Sequence, residues 1–140
     1  VHLRSYDPIP SDWHDSVLGY RWAGIRRVRQ VVTTALEVAR NDGAIGASLQ
    51  AAPVVYVDDA GAALFEGEDA AALFITSDAE ISTGDAPADA FRVEGIENVA
   101  VGFATANGGK CARCWKIMPE VTFEGAICNH CNDVVNDRAG

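Results

Sequence analysis

From Trp13 to Arg40, the apolar residues Leu18, Trp22, Ile25, Val28, Val32, Leu36 and Ala39 recur every three or four positions. That period predicts a long amphipathic helix. A second row, Trp13, Val17, Tyr20, Val31, Ala35 and Val38, lies beside the first and widens the apolar face to roughly 200° at about 100° per residue. A helix on a protein surface needs about half that width, so this one is expected to be enclosed by several neighbours, as in a helix bundle. The sequence supplies no other long helix, and the remainder of the bundle is expected outside the chain. Gly24 falls within the second row; it weakens the helix by about 1 kcal/mol relative to Ala and lets a neighbour approach closely. Ser11 or Asp12 after Pro10 reads as the N-cap, and Asn41-Asp42-Gly43 as the stop.

The pattern changes after a Gly/Ala/Ser-rich turn region from Gly43 to Ala52. Pro53-Val54-Val55-Tyr56-Val57 predicts a strand that Asp58-Asp59-Ala60-Gly61 ends. Ala62 to Phe74 is expected to carry one short helix. Phe74–Ser77, Ala79–Ser82 and Val99–Phe103 are expected as strands, with Gly84–Asp89 as a loop. The fold class is α+β: one long N-terminal helix (1–43), a small mixed α/β domain (44–109) and a C-terminal metal ribbon (110–140).

The chain has 140 residues, 49% of them hydrophobic and 22% charged. That is enough apolar matter to bury about two-thirds of the unfolded surface, which excludes disorder. No run of about twenty apolar residues can span a bilayer, and Val1-His2-Leu3-Arg4-Ser5-Tyr6-Asp7-Pro8 lacks the apolar core of a signal peptide. A soluble, cytoplasmic segment of something longer is expected, since no initiator Met is present. Net charge is −9, concentrated in the middle, where two basic residues face eleven acidic ones between 51 and 110. A protein that grips nucleic acid unaided shows a basic footprint. Any RNA contact here must therefore be local, and accessory to a larger surface.

The four cysteines fall in the last thirty residues as Cys111-x2-Cys114 and Cys128-x2-Cys131, thirteen residues apart. Two such knuckles place four thiolates about a point, as a structural zinc requires. Two disulfides, or free thiols, are the bland alternative, and a reducing compartment disfavours the disulfides. Val121-Thr122-Phe123, Glu124-Gly125 and Ala126-Ile127 read as the strand, turn and strand of a ribbon hairpin. A site closed by four sulfurs leaves no position for substrate, so the expected zinc holds structure and does no catalysis. His130 is expected in a solvated loop, and His2 and His14 have no partner motif.

No catalytic constellation is present: the chain has no Gly-rich phosphate loop and no Ser/His/Asp order with a recognisable elbow. Asp58-Asp59 and Glu66, Glu68 and Asp69 read as solvated charges at turns and an exposed helix face. Lys110-Cys111-Ala112-Arg113-Cys114-Trp115 instead puts two cations and an indole at the tip of the first knuckle. Arg113 and Lys110 suit phosphate or a guanine edge, and Trp115 suits stacking on an unpaired base. The competing reading packs Trp115 against its own protein.

Together, the helix from Trp22 to Arg40, the stretch from Ile45 to Ala52, the loop from Asp85 to Ala90, the opening Val1-His2-Leu3 and the two knuckles resemble the C-terminal region of bacterial isoleucyl-tRNA synthetases. The resemblance covers nearly the whole chain. It implies that the helix closes an α-helical anticodon-binding domain, that 44–109 is a junction domain, and that the zinc ribbon ends the protein. It further implies contact with the anticodon loop of isoleucine tRNA, with Arg113 and Trp115 near the anticodon and the rest of the synthetase as the other partner. ATP would be used only by the parent enzyme, whose His-Ile-Gly-His and Lys-Met-Ser-Lys-Ser signatures are absent here. The second knuckle departs from the family pattern, with Asn129-His130 where Gly-Arg is frequent, and Gln50 replaces a frequent Glu. The alternatives are a purely structural or protein-binding zinc ribbon, and the related ribbon of bacterial DNA glycosylases. The acidic middle and Trp115 both argue against DNA.

Overall fold

A computed structural model describes residues 8–137; the resemblance at Val1-His2-Leu3 and the reading of His2 lie outside them. The long helix is present as α1 (Ser16–Asn41). It begins later than expected. Ser11–Trp13 form a separate 3-10 turn, and the carboxylate of Asp15, not Ser11 or Asp12, caps α1 by accepting from the Leu18 N–H at 2.8 Å. The stop falls at Asn41-Asp42-Gly43 as the sequence indicates.

Strand β1 (Val54–Val57) lies near the centre of a four-stranded sheet with β2 (Glu80–Ser82), β3 (Phe91–Val93) and β4 (Ile96–Gly102). The order is β2-β1-β4-β3, with β1 parallel to β2 and antiparallel to β4. A parallel neighbour needs a crossover, and two short helices supply it: α2 (Asp59–Ala63) and α3 (Ala70–Phe74). The single helix expected over 62–74 is therefore two. Asp58 and Asp69 each cap one of them, accepting from the N–H groups of Gly61 and Ala72. These carboxylates terminate backbone as well as meeting solvent. Phe74–Ser77 is not a strand, because Phe74 ends α3 and Ile75 closes it in the left-handed region at φ 59°. Strand β3 carried too short a pattern to be recognised.

The carboxyl ends of the two short helices would leave orphan carbonyls. Two arginines of α1 reach them. Arg21 donates to the carbonyls of Leu64 (2.9 Å) and Glu66 (2.7 Å) and pairs with Glu68, and Arg29 donates to Leu73 at 2.8 Å. Gly24 lies between them, and a β-carbon there would stand 2.6 Å from Leu64 Cδ1. The close approach expected of this glycine is thus used by the end of α2.

The wide apolar face of α1 splits along its length. Ile25, Val28, Val31, Val32, Ala35, Leu36 and Ala39 are buried in one core with Val55, Val57, Phe65, Phe74, Val99 and Val101. The start of the helix and the turn before it are uncovered, with Trp13 74% and Tyr20 81% exposed and Val17 and Leu18 also in solvent. Ile45–Ala52 forms a 3-10 turn over Ser48–Gln50 that the Gln50 side-chain carbonyl closes, accepting from the N–H groups of Gly46 and Ala47. An amide oxygen thus supplies the acceptor that a Glu carboxylate would offer at this position.

One hydroxyl ties the sheet domain to the cysteine-bearing tail. Ser77, nearly buried, donates to the Leu49 carbonyl at 2.5 Å and accepts from the Ile117 N–H at 2.6 Å. Ser77→Ala leaves both groups without this partner and is expected to cost about 1–3 kcal/mol. Hydrogen exchange at the Ile117 amide should accelerate accordingly, and unchanged protection there would contradict the latch.

Candidate metal centre

The expected ribbon hairpin at 121–127 is absent among the described residues. The tail instead pairs β5 (Gly109–Lys110) with β6 (Ile117–Met118), the two arms of the first knuckle. Gly108 and Gly109 permit this, because a β-carbon on either would run into the carbonyls of Met118 and Val121. The chain between the knuckles closes on itself in turns, Val121 N–H to the Met118 carbonyl and Ala126 N–H to that of Phe123. Val121 drops under the sulfur cluster, 3% exposed, where it is more useful than in a ladder. The chain then enters α4 (Asn129–Asp137), which begins just after Cys128 and carries Cys131 in its first turn. His130 stands exposed on that helix, not in the loop expected for it, and His14 is exposed as well.

The sequence-predicted ligands converge. The sulfurs of Cys111, Cys114, Cys128 and Cys131 all lie within 4.8 Å of one another, and none is in a disulfide. Cys114 and Cys128 Sγ are 3.8 Å apart. Four sulfurs at about 2.3 Å from a tetrahedral metal would be separated by about 3.8 Å, so the donor set fits one thiophilic ion. Cys111, Cys128 and Cys131 are buried, while Cys114 is half-buried.

Donors surround the sulfurs. Cys111 Sγ accepts from the N–H groups of Arg113 (3.4 Å) and Cys128 (3.3 Å). Burial alone pushes the Cys111 thiol up, but the backbone N–H groups of Cys114, Cys128 and Arg113 outweigh it and bring the pKa down to about 6. Burial raises Cys114, and raises Cys128 to about 12. Of these three, Cys111 is the sulfur most readily presented as a thiolate, the form a metal binds. Arg113 also directs Nη1 to Cys131 Sγ at 3.8 Å, setting a cation against a cluster that carries a formal −2 when zinc is bound.

The other two expected contact residues share the tip. Trp115 is 61% exposed, with its backbone in the left-handed region at φ 68°. Lys110 Nζ lies 5.3 Å from the centroid of its ring. The structure therefore does not pack the indole away. A non-glycine residue there costs roughly 1–2 kcal/mol, a cost that the chain turn after Cys114 imposes. Sequence reasoning missed Ser77 and Phe123, a residue 71% exposed beside the tip. Neither belongs to a motif. Arg26 and Arg27, read as ordinary solvated charges, are exposed on α1.

Removing one ligand should dismantle the tail and spare the sheet domain, because the two cores are separate. Cys131→Ser is expected to abolish stoichiometric metal binding and to broaden NMR signals of 109–137 while those of Val55 and Val101 stay sharp. Full metal retention would contradict the four-sulfur assignment.

No family model matches the chain. Curated relatives do. It is 46% identical over 135 residues to an isoleucine–tRNA ligase of Ruegeria pomeroyi, covering 94% of this chain. An isoleucine–tRNA ligase of Agrobacterium fabrum is 43% identical over 122 residues, 86% of the chain, and one of Gluconobacter oxydans is 42% identical over 141 residues, 97% of the chain. The chain spans only 13–14% of the length of these relatives. It belongs to the isoleucine–tRNA ligase family as a segment of such an enzyme.

Proposed function

We propose that this segment is a tRNA-binding appendage of an isoleucine–tRNA ligase, with no catalytic centre of its own and one structural zinc at its tip. Zinc is the metal of this reading because a closed set of four thiolates suits a d¹⁰ ion of tetrahedral preference. The zinc would neutralise and gather the sulfurs so that the knuckle projects Lys110, Arg113 and Trp115. The partner is isoleucine tRNA at its anticodon loop, where unpaired bases offer faces to stack on. The parent ligase would supply ATP chemistry and most of the RNA affinity.

The observation that carries this reading is the exposed indole of Trp115, held in an unfavourable backbone region between three cations. Residues 108–118 contain Lys110, Arg113 and Lys116 and no carboxylate, within a chain of net charge −9. A basic strip of this size attracts a polyanion locally without giving the isolated chain strong affinity. The Arg113–Cys131 contact favours the alternative of a purely structural ribbon. The two roles are compatible, because a guanidinium has five N–H donors and one sulfur uses only one of them.

The uncovered start of α1 and the turn before it fit the same proposal. Trp13, Val17, Leu18 and Tyr20 would be covered by the helical remainder of the ligase, making 1–43 the end of a helical domain, 44–109 a junction and 110–140 the metal module. Among the described residues no helix is long and apolar enough to cross a membrane, and no membrane partner is proposed.

In the ligase carrying this segment, Arg113→Ala and Trp115→Ala are each expected to raise the KM for isoleucine tRNA about tenfold or more. A stacked base contributes about 1–3 kcal/mol. ATP–pyrophosphate exchange with isoleucine should hold near its starting rate. Aminoacylation kinetics unchanged in both variants would remove the tRNA role and leave the structural ribbon.

A further inference from the structure

The tip of the metal module borders a cleft of about 750 Å³ whose lining includes Lys110, Trp115, Phe123 and Glu124. That volume falls within the roughly 300–1,000 Å³ of small-ligand sites. Phe123 is the unexpected member. It sits in the turn between the knuckles, 71% exposed, although Val121, two residues earlier, is buried against the cluster. A phenyl ring left in water forgoes a large burial gain. Here it shares one cleft with a second exposed aromatic, Trp115, over which Lys110 Nζ lies.

We propose that this cleft takes one unpaired nucleobase, with Trp115 and Phe123 as its two aromatic contacts and Lys110 on the adjoining phosphate. The proposal rests on the tRNA reading above and adds to it a specific subsite and a residue that no motif marks. The chemistry selects the occupant. Two exposed aromatic rings offer π-faces to a flat heterocycle, and base-on-aromatic stacking is tolerant of base identity. The three cations of 108–118 complement a phosphate chain, as a neutral or basic peptide would not require. Glu124 puts an acceptor-only carboxylate in the lining, suited to a base's exocyclic amino group. The same carboxylate repels phosphate, so the strand is oriented with its base inward and its backbone toward Lys110.

The test uses the ligase carrying this segment and isoleucine tRNA substituted with 2-aminopurine at one unpaired anticodon-loop position at a time. Saturable quenching is expected at one position. Phe123→Ala should abolish that quenching and raise the Kd about tenfold, with bound metal and melting temperature unchanged. Phe123→Tyr should restore both readouts. Phe103→Ala, an exposed phenylalanine outside the cleft, should leave both as they were. Full quenching and unchanged Kd in Phe123→Ala, beside weakened binding in Arg113→Ala and Trp115→Ala, overturns the subsite and leaves the tRNA reading standing. Unchanged binding in all three variants overturns both. A fall in melting temperature in Phe123→Ala means that the ring packs on another part of the ligase, which also overturns the subsite.

Discussion

A tail of about thirty residues cannot fold around its own apolar atoms, because too little of its surface can be buried. Four sulfurs gathered within 4.8 Å replace the missing core. Everything distinctive about the tip follows from that closure. The first knuckle must turn sharply after Cys114, and the residue at the turn, Trp115, takes a positive φ with its indole outward. The backbone donors aimed at Cys111 and the Arg113 guanidinium aimed at Cys131 offset negative charge on the cluster. A metal that looks merely structural is, on this account, what allows an acidic chain to present a basic, aromatic tip.

The tip is useful only if it is aimed, and the sheet domain does the aiming. The stretch of α1 from Ile25 to Ala39, with β1 and β4, supplies the core. Arg21 and Arg29 staple the crossover segment to it, through carbonyls just after α2 and in the last turn of α3. From that platform Ser77 reaches the amide of Ile117, inside the first knuckle. A chain of packed and hydrogen-bonded elements thus runs from α1 to the metal module. The first turns of α1, from Val17 to Tyr20, stay apolar and uncovered at the far end of that helix.

Legibility followed period and motif. The long helix, β1 and the four ligands were readable because each rests on a repeated pattern: a 3.6-residue period, an apolar run, or paired Cys-x2-Cys. The loss came where a single residue decided the outcome. One helix over 62–74 became two because Asp69 caps a fresh start, and Ile75 entered a conformation that its side chain does not advertise. The ribbon hairpin was placed one segment too late, because the alternation at 121–127 resembles a strand while the Gly-Gly pair that admits the true β5–β6 pairing does not. Ser77 and Phe123 were invisible for a related reason. Their importance lies in what the fold brings beside them, forty residues away for one and across a cleft for the other.

The central claim is that four cysteine sulfurs hold one zinc ion and thereby shape the tip. X-ray absorption at the zinc edge of reduced, metal-replete protein tests it most directly. The account predicts one zinc per chain with a shell of four sulfurs at about 2.3 Å. A shell containing nitrogen or oxygen ligands, or fully reduced protein that keeps a folded tail with no bound metal, would contradict it.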